Sequence, residues 1–233
     1  MKSLVRVCLV AFVASQGFAT TLWYNGDFDG RSGLINGVNL NTSSMTSNVY
    51  DNFVVPDGQS WTIADVWSNN LMNFTGVTGA EWEIRSGVST NNGGTLIASG
   101  TDSATQTATG RSGFGFTEYQ ILVSSLNVTL GAGTYWLSVA PVSPDGNGLS
   151  YVSTTSGTNC VGTPCGNDGN SYWNSASFGE NFGPTSDGFG AGTWDLSMGA
   201  DALVAPEPAT IGLCLAGLGL IAIGSRSRRR VRQ

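Results

Sequence analysis

Gly131-Ala132-Gly133-Thr134-Tyr135-Trp136-Leu137-Ser138-Val139 opens on a glycine-bracketed turn and continues in alternation. Tyr135, Leu137 and Val139 fall on one side of an extended chain, as a half-buried strand requires, and the glycine pair supplies the reversal before it. Working outward, similar segments recur at Val49–Val55, Trp61–Trp67, Glu81–Arg85, Thr95–Ala98, Tyr119–Val123, Leu126–Leu130 and Leu149–Val152. Fainter ones lie at Leu22–Tyr24, Ser171–Phe178, Trp194–Met198 and Ala202–Val204. Gly, Asn, Asp and Pro separate them, and no window between residues 20 and 204 carries a 3.6-residue amphipathic pattern. Short strands with glycine-rich turns predict an all-β fold, one β-sandwich or jelly roll over residues 20–204. A span of that length buries about 70% of its unfolded surface, enough for a core without metal or many disulfides.

The 233 residues include 33 Gly and no His, and only 11% are charged. Without imidazole there is no Ser-His-Asp or Cys-His catalysis, no His-ligated zinc and no histidine pH switch. Residues 20–204 hold 15 acidic residues against Arg31, Arg85 and Arg111. Such a surface repels phosphate backbones, which excludes nucleic acid as the expected partner. Basic residues otherwise gather at the two ends, each beside an apolar run.

Lys2 and Arg6 precede the apolar run Val7 to Ala14, and Gly17-Phe18-Ala19 follows. This order predicts a secretory signal peptide over residues 1–19, cleaved after Ala19. At the other end, Pro206-Glu207-Pro208 leads into an uncharged run from Ile211 to Gly224 and then a basic tail, residues 225–233, with Arg226, Arg228, Arg229 and Arg230. The run predicts a helix of about 21 Å, shorter than the roughly 30 Å hydrocarbon core, held by arginines that stop translocation on the cytoplasmic side. The proline-flanked motif cannot be helical and presents an extended, protease-accessible segment.

Residues 205–233, with motif, short apolar helix and arginine cluster in that order, resemble the PEP-CTERM sorting signal of exopolysaccharide-producing bacteria. The resemblance implies exosortase as partner, transient residence in the inner membrane, and delivery to the cell surface or extracellular matrix. The middle resembles a recurrent extracellular β-sandwich of sorted surface proteins, through Asp51-Asn52-Phe53-Val54-Val55, Trp61-Thr62-Ile63, Trp82-Glu83-Ile84-Arg85-Ser86-Gly87, Gly133 to Val139 and Trp194-Asp195-Leu196. That resemblance implies a galactose-binding-like or jelly-roll architecture and no catalytic activity.

Several residues invite chemistry, each beside a plainer reading. Cys160 and Cys165 are expected to form a local disulfide in an oxidising compartment, rather than half of a zinc site or a redox pair. Glu81 and Glu83 flank Trp82 on one strand, about 6.6 Å apart by backbone rise, a spacing suited to a glycosidase acid pair or simply to a solvated face. Asn25, Asp27 and Asp29 alternate before Gly30 like the start of a calcium loop, yet Asn36 stands where a bidentate Glu is needed, which favours an Asx-rich turn. Trp136 and Trp173 are the aromatics that could stack on sugar, the alternative being core packing. The expectation is a non-enzymatic exported surface or matrix protein without cofactor, with exopolysaccharide as a partner. A carbohydrate-binding module is the alternative, and a hydrolase using Glu81 and Glu83 comes after it.

Overall fold

The structure, a computed structural model, describes residues 19–41 and 43–203. The signal peptide before Ala19 and the 205–233 sorting signal, with Pro206, Glu207, Pro208, Arg226, Arg228, Arg229 and Arg230, lie outside the described residues. The described chain is nearly all β. In order it forms β1 (Ala19–Tyr24), β2 (Phe28–Ile35), β3 (Gly37–Leu40), β4 (Met45–Val55), β5 (Trp61–Met72), β6 (Gly79–Ser86), β7 (Thr95–Gly113) and β8 (Phe116–Val123). It continues through β9 (Val128–Leu130), β10 (Gly133–Pro141), β11 (Ser150–Thr155), β12 (Tyr172–Ser175), β13 (Glu180–Pro184), β14 (Asp195–Leu196) and β15 (Met198–Leu203). Among the described residues helix is confined to a 3-10 turn, Ala176–Phe178, and the single-turn α1, Ser186–Phe189. Among the described residues no helix is long and apolar enough to cross a membrane.

One connected sheet runs β1-β15-β5-β8-β7-β6-β10-β4-β12-β13, and every strand pairing in it is antiparallel. Its fold is made by β7. Residues 95–103 pair with β6, and residues 104–113 pair with β8. Phe114 and Gly115 then turn the chain back with φ of 55° and 84°. Positive φ at both central residues is the mirror-image turn whose twist suits a two-residue hairpin.

The sheet doubles over, and its two parts meet across the main core. The ring of Trp23 in β1 stacks on Phe53 of β4 at 5.4 Å between centroids, and Phe53 also stacks on Trp61 of β5 and Tyr135 of β10. Ile63, Ile84, Leu137 and Val139 are fully buried among them. Each such side chain contributes about 1.5–3 kcal/mol by leaving water. The core also holds a polar seam: buried Asn36 donates from Nδ2 to the Val139 carbonyl (2.8 Å) and to Asn70 Oδ1 (3.1 Å), and its Oδ1 accepts from the Val49 N–H. Ser68 Oγ donates to the same Val139 carbonyl. These bonds join strands of the two parts and set their register, because a slip would leave buried polar groups without partners.

Strands β4, β5, β6, β8 and β10 stand where the alternating segments predict them. Two expectations change. Strand β10 is buried on both sides from Trp136 onward, because Trp136 packs with Tyr50, Val88 and Phe182 in a second cluster beneath β12 and β13. Strand β2 begins inside the stretch read as an Asx-rich turn, residues 25–30, and runs on beyond it; it pairs with β11, and a Cβ on Gly33 would lie 3.0 Å from that of Tyr151, so the close approach calls for glycine.

Candidate functional site

Alternation along β5 turns Trp67, Asn69 and Leu71 to the outward side while Val66, Ser68 and Asn70 face the core. Register then assembles neighbours. Asn69 lies opposite Gln120 of β8, and Gln120 lies opposite Thr107 of β7, so three polar residues stand in line across three strands. On the other flank Gly199 of β15 faces Trp67, and a Cβ there would come within 2.2 Å of the indole. The missing side chain lets the Trp67 ring lie over β15, with Tyr24 at 6.1 Å between centroids.

A recess of about 280 Å³ results, lined by Tyr24, Asp27, Trp67, Asn69, Thr107, Ala108, Thr109, Arg111 and Gln120. Asp27 anchors it. Its Oδ1 accepts from the Tyr24 hydroxyl (2.6 Å) and from Arg111 Nη1 (2.8 Å), and its Oδ2 accepts from Asn159 Nδ2 (2.8 Å). Burial acts to raise the Asp27 pKa, but the donors from Tyr24, Asn159 and Arg111 outweigh it and hold the carboxyl below its ordinary range. Burial first, and the bond to Asp27 second, push the Tyr24 phenol upward, so it remains a proton donor. Arg111 also pairs through Nε with Glu118, whose side chain is fully buried. Asn69 is 2% exposed; its Nδ2 donates to Ser197 Oγ (2.8 Å) and to the Tyr24 oxygen (3.2 Å), leaving Oδ1 without a partner.

A second recess of about 200 Å³ adjoins on the same outward side of β5 and β8, lined by Arg31, Ser32, Gly33, Leu71, Phe114, Phe116 and Tyr151. Phe116 meets Tyr151 edge to face at 5.4 Å, and Phe114, on the β7–β8 turn, is 65% exposed. The surface therefore combines apolar rings, amides, hydroxyls and a fixed charge pair, a composition suited to holding a polar ligand with an apolar edge. None of these recess residues except Asp27 stood out in the sequence. The faint signal was Phe114-Gly115-Phe116, two aromatics around a turn glycine.

The residues singled out from sequence have other surroundings. Trp136 and Trp173 are each 7% exposed; Trp136 Nε1 donates to the Asn170 carbonyl (2.9 Å) and Trp173 Nε1 to Ser47 Oγ (2.6 Å). Both rings are used in packing, so neither offers the open face that sugar stacking needs. Glu81 and Glu83 do share one side of β6, with Trp82 and Ile84 in the core. Glu83 accepts from the Tyr50 hydroxyl (2.8 Å) and pairs with Arg85, while burial, then the Glu83 charge, raise the Glu81 pKa.

Asn25, Asp27 and Asp29 do not converge. Asn25 Oδ1 accepts from the Gly166 N–H, Asp27 faces Arg111, and Asp29 is bound by Arg31 and the Thr154 hydroxyl. The three side chains weighed as the start of a calcium loop thus have three separate sets of partners. Cys160 and Cys165 are joined in a disulfide with Cα atoms 5.5 Å apart. Their loop exchanges backbone hydrogen bonds between Val161 and Tyr24, and its Thr163 carbonyl accepts from the Val54 N–H.

Residues 204–230 match the PEP-CTERM protein-sorting motif. No curated protein and no solved structure matches the chain. The motif implies export, passage through a membrane for sorting, and processing by exosortase.

Proposed function

We propose that this is an exported, exosortase-sorted protein of the surface or extracellular matrix of an exopolysaccharide-producing bacterium, with a structural or interaction role and no catalysis. The doubled sheet is read as a jelly-roll or galactose-binding-like β-sandwich, the passenger that the termini deliver. One observation carries the reading, the sorting motif at residues 204–230. The clustered arginines behind it suit a stop to translocation, and the Pro-Glu-Pro segment suits a processing enzyme at the membrane surface. Replacing Pro206, Glu207 and Pro208 with Ala is expected to leave full-length precursor in the membrane fraction, read by immunoblot and by mass spectrometry of the C-terminus. Normal processing of that variant would remove exosortase recognition from the reading.

A second reading, carbohydrate binding, draws support from the two adjoining recesses, with exposed Phe114 as an apolar platform and the Asn69 and Gln120 amides as hydrogen-bonding groups. It moves the sugar contacts away from Trp136 and Trp173. A binding role suits the recess better than hydrolysis, because an aspartate kept ionised by three donors is a poor proton donor at neutral pH. Glu83, already held by Arg85 and Tyr50, is likewise poorly placed as a free acid or base. On a polysaccharide array, Phe114→Ala and Gln120→Ala are each expected to weaken binding about tenfold. Silence of the unaltered protein across the array would end this reading.

A further inference from the structure

Three carboxylates from distant parts of the chain meet beside β4. Asp51 of β4, Asp168 of the β11–β12 connection and Asp195 of β14 each place an oxygen within 4.8 Å of the other two. Asp51 and Asp195 are 0% exposed, and Asp168 opens to solvent. Their hydrogen-bond donors are all neutral. Asp51 accepts from the Asn52 and Leu196 N–H groups and from Asn25 Nδ2. Asp195 accepts from the N–H groups of Asp168 and Gly169, and Asp168 accepts from the Asn170 N–H and Asn52 Nδ2.

Among the described residues no cationic side chain is available to balance them. The described residues contain no Lys and the arginines 31, 85 and 111. Arg31 is paired with Asp29, Arg85 with Glu83, and Arg111 with Asp27 and Glu118. Buried carboxylates are ordinarily paired with a cation or bound to a metal, because neutral donors do not cancel a charge taken out of water. A further observation points the same way. Asn52 is 3% exposed; its amide reaches the cluster through Nδ2, which donates to Asp168 Oδ2 (3.0 Å), while its Oδ1 has no partner. A buried amide carbonyl with nothing to accept from, on a side chain that already touches the cluster, has lone pairs to offer a cation.

We propose that Asp51, Asp168 and Asp195, together with the Asn52 carbonyl oxygen, bind a divalent cation, and the all-oxygen donor set selects calcium. Hard oxygen ligands without nitrogen or sulfur favour calcium or magnesium over transition metals, and calcium accepts an irregular, protein-rich set more readily than magnesium does. Solvent reaches the site through Asp168, which provides the entry path. The ion would tie β4, β14 and the 166–170 segment together, and it joins them independently of any ligand in the recesses.

The test uses the full-length protein purified in detergent, with calcium or a chelator as the only variable. Calcium at about a hundredfold its dissociation constant is expected to raise Tm by about 5 °C, and terbium is expected to give tryptophan-sensitised emission that calcium displaces. Asp168→Asn, at an exposed position that leaves the fold intact, is expected to weaken calcium about tenfold by removing one charged ligand. Asp195→Asn is expected to abolish the response, and Asp29→Asn to retain it. A flat Tm with no terbium emission in the unaltered protein would overturn the site. So would an unchanged calcium affinity in Asp168→Asn, which stays informative even if Asp195→Asn fails to fold.

Discussion

Two groups of acidic residues hold buried carboxylates in this domain, on opposite terms. Asp27 and Glu118 share Arg111, which bridges them through Nη1 and Nε across the outward side of the sheet. Asp51, Asp168 and Asp195 share only one another and neutral donors, and burial first, then the charges of Asp195 and Asp168, push the Asp51 pKa well above its ordinary value. For Asp195, burial comes first and the Asp168 charge second, and together they push it up to about 6. Burial alone does not tell the two groups apart. The position of three arginines does.

The sharpest way to break the contrast is to turn the compensated group into the other kind. Arg111→Met leaves Glu118 fully buried without its cation, and the expected loss is about 3 kcal/mol in chemical unfolding, the lower end for a broken buried pair because Arg111 is 30% exposed. A variant as stable as the parent would show that Glu118 reaches water or a proton with ease. A smaller effect is expected at Asp27. Its folded pKa lies below the unfolded value of 3.8, so its contribution to stability is present above that value and fades as pH falls through the folded pKa. The Tm difference between the parent and Asp27→Asn should therefore hold at neutral pH and shrink on acidification below about 4. A difference that grows on acidification would contradict the sign of the shift.

How much of this was visible beforehand depends on the kind of order involved. Glu81 to Arg85 alternate so plainly that strand, face and inward side chains could all be read, and the structure keeps them. Strand β2 has no such pattern: its first residues belong to the 25–30 stretch, which reads as a turn in isolation, and pairing with β11 makes the chain from Phe28 a strand. The second part of β7, rich in Thr, Ser, Ala and Gly, is extended for the same reason, held by β8 on a hairpin whose Phe114-Gly115 turn carries no Asn-Gly signature. Trp136 shows the reverse case. Alternation puts it on the side away from Leu137 but leaves open whether that side is covered, because β12 and Phe182, which cover it, come from residues far along the chain.

The sorting motif and local form are legible in the linear string: the PEP-CTERM motif is a contiguous segment, and alternation is a property of neighbouring residues. Whether a carboxylate is neutralised was settled by tertiary structure alone. Asp51, Asp168 and Asp195 acquire their common field, and Asp27 its guanidinium, only when segments more than a hundred positions apart in some pairs are brought together. Electrostatic energy depends on separation through space, and spacing along the chain does not encode it.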